Sequence, residues 1–504
     1  MVRGVKCLGS AWMALLLMVA ASVASFGNDV PLVEAARKGD LEAVRSLLQA
    51  HADVNAVQGD GVTALAWAVH RDDLEMAELL IGAGANVNAA NDYGVMPLSL
   101  ACLNRNGVLV EKLVQAGADP NAAQESGETP LMTCARTGAT DAVKLLLARG
   151  ANPNAKEARQ RQTALMWAAD GKQPEIVRSL LEKGADAQAR SKGGFTPLMF
   201  AARSGDLESA GMLLAAGADV NDSTPKYGNA LVIASASQQE SFAIYLLEKG
   251  ADPNSADEYG ITALHNAVQK GLSDLTHVRY DPSYRVQPSN MSKLAAALLA
   301  KGANPNARIK AEDQRGPSDV LFSMVGATPF FLAAVSADAE LMRLLLAGGA
   351  DAHLTGANQM TPLMAAAGAA CTGTCPFQGA NLKPDEELER QALKAVQVAV
   401  EAGADLHAVD RGGQTAMHAA AFAGADSIVQ FLADKGAKVD VKDRSGETPW
   451  SMAAGISPSL RATGTYGNHE STANLLLKLG AKPVTHDELA PLELAPTARP
   501  PSNR

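Results

Sequence analysis

A seven-residue phrase, Thr-Pro-Leu-x-x-Ala-Ala, returns along this chain at a spacing of 33 residues, and no other feature restricts the fold as much. It opens at Thr129-Pro130-Leu131, Thr196-Pro197-Leu198, Thr328-Pro329-Phe330, Thr361-Pro362-Leu363 and Thr448-Pro449-Trp450. Forms with Ala in the Pro slot open at Thr63, Thr163, Thr262 and Thr415, and looser copies open at Val30, Met96 and Asn229. Successive starts lie 33 or 34 residues apart, apart from single steps of 66 and 54. A period of this length marks a repeat array, in which each unit is one supersecondary element and the core is shared between neighbours. A chain of 504 residues therefore need not divide into several globular domains.

Each position in the phrase has a physical task. Thr129 is placed to cap a helix through its hydroxyl, and Pro130 follows where a missing N–H costs nothing. Leu131, Cys134 and Ala135 then fall on one face of that helix. Alanine pairs such as Ala168-Ala169 and Ala201-Ala202 let neighbouring helices approach closely. A second helix carries leucine runs, among them Leu145-Leu146-Leu147 and Leu344-Leu345-Leu346. It stops at a glycine 21 residues after the start of each regular copy, as at Gly84, Gly117, Gly150, Gly184, Gly217 and Gly250. An Ala-Asx-x-Asn turn follows, as in Ala118-Asp119-Pro120-Asn121, and then a short hairpin ending in glycine, as at Asp92-Tyr93-Gly94. The composition agrees: 47% of residues are hydrophobic but only 4% aromatic, so the core is leucine and alanine.

The phrase with its 33-residue step resembles the signature of ankyrin-repeat proteins, from roughly Val30 to Ala481. The resemblance implies an all-α repeat solenoid of about twelve ankyrin repeats, each a helix-turn-helix followed by a β-hairpin loop. It also implies a non-enzymatic protein-protein interaction scaffold that binds its partner through the concave face and the hairpin tips. By the same resemblance Trp67, Leu100, Trp167, Phe200 and Ile233 belong to the core between repeats, and His265 and His418 are structural residues that hydrogen-bond within the hairpin framework. The two positions after that core series face the concave surface in the family. Here they read Arg37, Lys38, His70, Arg71, Arg136 and Arg203, with Asp170 interrupting the row. Against a formal net charge of -10, such a row is a candidate surface for an acidic protein partner. Ordinary solvated surface charge is the alternative reading.

The ends differ from the array. Residues 1–24 read as a signal peptide, with basic Arg3 and Lys6, an apolar run from Ala11 to Ala21, and Ser22-Val23-Ala24 as the cleavage site. The run is short for a membrane span. The expectation is an exported protein, first of all periplasmic and alternatively extracellular, with no membrane span in the mature chain. The solenoid then occupies 25–481, and the Pro-rich tail, 482–504, is expected to be disordered. Glu34 in the first repeat stands where later repeats carry large apolar residues, which marks that repeat as a cap. His51 there replaces the terminating glycine, a departure the sequence does not explain.

Insertions are expected near 272–290, 369–389 and 456–468, between paired helices and on one edge, with an enlarged hairpin near 309–326. In the second, Cys371 and Cys375 frame Thr-Gly-Thr. Export permits a disulfide between them, with free thiols and a metal site as alternatives. Cys102 and Cys134, on inner helices of adjacent repeats at neighbouring but not equivalent positions, read as buried thiols. No cofactor motif is present, and the charge balance argues against nucleic acid. A monomer is expected. Two other functions stay open: an effector acting on host proteins, and an enzyme built from the insertions out of His277, Tyr280, Asp281, Tyr284, Arg285, Cys371, Cys375, His469 and Glu470.

Overall fold

The structure is a computed structural model, and it describes residues 30–273, 291–310, 325–369, 386–456, 468–485 and 489. These residues form 24 α-helices in two compact units, one up to Asp252 and one from Pro253. The fold is an all-α repeat solenoid. The first unit holds seven helix pairs: α1 (Pro31–Lys38) with α2 (Leu41–Gln49), α3 (Ala64–His70) with α4 (Leu74–Gly82), α5 (Pro97–Leu103) with α6 (Gly107–Gln115), α7 (Pro130–Thr137) with α8 (Thr140–Ala148), α9 (Ala164–Asp170) with α10 (Pro174–Glu182), α11 (Pro197–Ser204) with α12 (Leu207–Ala215), and α13 (Ala230–Ala236) with α14 (Glu240–Glu248). The second holds α15 (Ala263–Ser273) with α16 (Ser292–Ala300), α17 (Pro329–Val335) with α18 (Ala339–Ala347), α19 (Pro362–Gly368) with α20 (Glu386–Glu401), α21 (Ala416–Ala423) with α22 (Asp426–Asp434), and α23 (Pro449–Ala453) with α24 (Glu470–Lys478). Within each unit, the odd-numbered inner helices pack on one another in sequence, and most outer helices form a second layer in the same way.

Local chemistry starts many of the helices. The Thr163 hydroxyl accepts the N–H of Met166, and Thr63, Thr129, Thr328, Thr361 and Thr448 cap their inner helices likewise. Several outer helices have a capping device of their own, in which Asp40, Asp73, Asn106, Asp206 and Asp338 accept the N–H three residues on.

What ends the outer helices also joins the repeats. Gly150 holds the left-handed conformation (φ 86), with open space where a Cβ would stand, so its backbone angle and not crowding calls for glycine. Its carbonyl accepts a hydrogen bond from Asn121 Nδ2 of the preceding repeat at 3.0 Å, while Asn121 Oδ1 accepts the N–H of Asn152 at 2.7 Å. The same paired contact is made by Asn55, Asn88, Asn154 and Asn221 in the first unit and by Asn254 and Asn306 in the second. His51 takes the terminating position of the first repeat in the same left-handed region (φ 57), where a side chain costs about 1 kcal/mol; nothing in the structure explains the histidine.

Hairpins follow each ladder step. Among the described residues only one forms a regular antiparallel ribbon, β1 (Ser223–Thr224) with β2 (Gly228–Asn229), in the register Ser223 with Asn229 and Thr224 with Gly228. Isolated bridges join Val57 to Thr63 and Ala256 to Thr262.

The expected leader, most of the four insertions and most of the tail lie outside the described residues. Where the described residues reach the insertions, α15 continues to Ser273 and α20 begins at Glu386. At the tail, Val484 and Leu489 are buried.

His265 lies fully buried at the start of α15. Its Nδ1 accepts the N–H of Thr262 at 3.2 Å, which leaves Nε2 to donate to the Ala307 carbonyl at 3.1 Å. His418 repeats this in α21 with Thr415 and the Glu447 carbonyl. Both are neutral framework groups. Burial pulls His265 down to about 4, against the opposing pull of two carbonyl partners, and lowers His418 as well. The unfolded chain therefore takes up protons first as pH falls from 6.5. Stability drops through the window between 6.5 and 4, by an amount on the order of 3 kcal/mol for His265, and this contribution is flat below it. Urea unfolding between pH 7 and 5 checks this: His265→Gln is expected to be less stable at pH 7 but to lose stability less steeply on acidification. Equal slopes for the variant and the parent chain would contradict it.

Candidate functional site

The basic row lies in the last turns of the inner helices, where cations complement the helix dipole, but it is largely neutralised from within. Arg37 and Lys38 both hold Glu34, at 2.7 and 3.1 Å. The hydrogen bond from Arg37, assisted by Lys38, keeps the Glu34 carboxyl down at about 2. Arg136 donates to Glu128 at 3.0 Å and lies over the Trp167 ring, 5.3 Å from its centroid. Arg203 makes two bonds to Asp170, at 3.0 and 2.6 Å, and covers Phe200 at 5.0 Å. Asp170, which interrupts the row in sequence, is thus the counter-ion of its last member. Arg71 donates to the backbone carbonyl of Arg37 at 3.3 Å, and His70 stands edge-on to Trp67. These residues share the inner-helix face without forming a block of free positive charge.

Uncompensated cations stand instead on the hairpins, a set of residues the sequence reading passed over. Arg159 and Arg161 occupy one hairpin, Lys192 the next and Lys226 the one after, all exposed. The hairpins touch directly: Lys192 N–H donates to the Gln160 carbonyl at 2.7 Å, and the rings of Phe195 and Tyr227 meet with centroids 5.0 Å apart. Nearby carboxylates are already engaged. Glu157 is buried and accepts the N–H groups of Arg159, Gln160 and Gln162, and Asp222 pairs with Arg190. The signal in sequence was the alignment of basic residues between the Asx turn and the next repeat start in three successive repeats.

A sequence model of the family described as ankyrin repeats, three copies, matches residues 32–124, 106–191, 131–224, 198–280 and 388–487, more than half of the chain. The chain belongs to the ankyrin-repeat family. Ankyrin repeats serve as protein-interaction scaffolds and are typically non-enzymatic. In this ankyrin array Phe200 and Ile233 are buried as the family position implies, while Trp67, Leu100 and Trp167 keep partial exposure.

One expectation is corrected. Cys102 and Cys134 are not buried thiols but a disulfide, with Cα atoms 4.7 Å apart. Small residues bring α5 and α7 close enough that the sixth position after one repeat start meets the fifth after the next; non-equivalent positions are the ones that touch. Cys371 and Cys375 lie outside the described residues.

Of the residues that an insertion-built enzyme would need, His469 and Glu470 are described. His469 is buried against Gly424 and opens α24, a packing role, and Glu470 is the first residue of that helix. Among the described residues no group of three or more His, Cys, Asp or Glu is placed to hold a metal, and no helix is long and apolar enough to cross a membrane.

The disulfide spans 32 residues of sequence and ties two repeats together, so loop-closure entropy alone assigns it about 3–4 kcal/mol. Both cysteines are fully buried. Reductant without denaturant is expected to leave the bond intact, and reduction in denaturant followed by refolding is expected to lower the urea midpoint. Free-thiol titration and urea melts read both. Alkylation of Cys102 and Cys134, located by peptide mapping after denaturing freshly purified protein without reductant, would contradict the pairing.

Proposed function

We propose that this protein is an exported interaction scaffold that captures a protein partner on the face made by its inner helices and hairpins. The observation that carries the reading is the ladder of repeats itself: identical framework contacts hold side chains that differ from repeat to repeat, a row of positions free to match a partner. Export rests on the sequence of residues 1–24 and is supported by the Cys102–Cys134 disulfide, a bond that persists in oxidising compartments outside the bacterial cytoplasm. The leader is removed after Ala24, and the mature protein begins at Ser25.

N-terminal sequencing of the protein from cell fractions tests export: Ser25 in the exported fraction is expected, and a chain retained in the cytoplasm from Met1 overturns it. Immobilised mature protein, exposed to the exported fraction, tests the scaffold. A protein retained stoichiometrically, and released by an excess of free mature protein, is expected. Retention of nothing beyond what an unrelated array binds would count against the reading.

A further inference from the structure

We propose that the hairpin edge carrying Arg159, Arg161, Lys192 and Lys226 is the docking surface for a short acidic segment of the partner protein. The inference rests on the scaffold reading and names where its charge recognition sits. Three observations carry it. The first is that these cations are uncompensated while Arg37, Arg136 and Arg203 of the inner helices are paired: Arg159, Arg161 and Lys192 take part in no ion pair among the described residues, and of the local carboxylates Glu157 is committed to its own hairpin and Asp222 to Arg190 of the preceding one.

The second is the backbone of Arg161. It holds the left-handed conformation (φ 55) at the position two before the repeat threonine, where Gly61, Gly94, Gly127, Gly194 and Gly260 stand in other hairpins. A side chain there is strained, and strain of this kind concentrates at sites where the side chain is used. Here the side chain gained is a cation at the tip.

The third is the limit of the patch. The three preceding hairpins present Asp60, Asp92 and Glu125 and no Lys or Arg from Ala56 to Val62, from Ala89 to Met96 or from Ala122 to Glu128. They are joined to the basic ones through backbone bonds from Asp92 to Asp60 and from Ala158 to Ser126. A long uniform polyanion such as nucleic acid, lying along this edge, runs from cations onto carboxylates within a few Debye lengths, each about 8 Å at physiological salt. A short acidic peptide fits the basic stretch alone. Tyr227, 39% exposed with Lys226 Nζ 5.3 Å from its ring centroid, adds an apolar contact beside the charge.

The test uses the mature protein and a fluorescein-labelled twelve-residue peptide of alternating Glu and Ser, with binding read by anisotropy at low and physiological salt. Wild type is expected to bind, more weakly as salt rises. The triple change Arg159→Glu, Lys192→Glu, Lys226→Glu is expected to weaken binding at least tenfold, with Arg37→Glu, Arg203→Glu as a control that changes it less than twofold. Arg161→Gly is expected to weaken binding severalfold and at the same time raise the thermal midpoint, a combination that general surface charge does not produce. No binding of the peptide at low salt overturns the proposal. So do equal losses from the control pair, tighter binding of oligodeoxythymidylate of matched charge, or a dimer in sedimentation that the triple change dissolves. If the partner captured from the exported fraction still binds the triple variant at full strength, this surface is wrong while the scaffold reading stands.

Discussion

An asparagine side chain that holds the carbonyl of the glycine just past the next repeat's outer helix is the contact on which the rest of this structure depends. A helix end leaves carbonyls without partners, and a stacked helix cannot leave them so without loss. Backbone N–H groups of Arg149, Gly150 and Ala151 answer that need for the helix itself, and Asn121 holds the Gly150 carbonyl that follows and takes a backbone N–H from Asn152 in return, so one side chain fixes the turn that leaves the helix and the register between two repeats. Because the contact is made at one step after another, the inner helices arrive at constant spacing and the hairpins align in a row. The pairing of Cys102 with Cys134 and the contact between the hairpins of Lys192 and Gln160 are consequences of that alignment.

The electrostatics follow from the same geometry. Inner-helix ends attract cations through the helix dipole, but they also lie within reach of carboxylates one repeat or one loop away, and Glu34, Glu128 and Asp170 neutralise most of them. Among the described hairpins Arg190 has such a neighbour in Asp222, but Arg159, Arg161 and Lys192 do not. Other hairpin carboxylates fold back to hold backbone N–H groups, as Glu157 does, and leave the tip cations to solvent. Position in the repeat, more than the count of basic residues, decides which charges are available to a partner.

The architecture was legible in the sequence because its causes are periodic. Thr129, Pro130 and the glycine at 150 recur at a fixed step, and each has one structural use. The disulfide was not legible, because the period compares Cys102 and Cys134 at unequal positions while the packing offset between α5 and α7 brings unequal positions together. The pairing within the basic row was hidden for a related reason: Asp170 lies 33 residues from Arg203 and reads as an interruption until helices α9 and α11 are seen side by side. The left-handed backbones of His51 and Arg161 leave only a negative trace in the sequence, a missing glycine, and only the backbone angle turns that trace into strain.

The asparagine ladder ends before the chain does. In the second unit Asn254 and Asn306 make the contact, but the equivalent positions further on are His353, His407 and Asp440, and Gly403 and Gly436 receive no such side chain among the described contacts. If this contact is what binds repeats into one cooperative stack, native-state hydrogen exchange resolved by peptide will show it. The opening free energy is predicted to fall between the segment from Thr262 to Gly349 and the segment from Thr361 to Ala481. Equal protection on both sides of His353, or greater protection beyond it, would mean that apolar packing alone couples the repeats and that the ladder is an accompaniment to the fold.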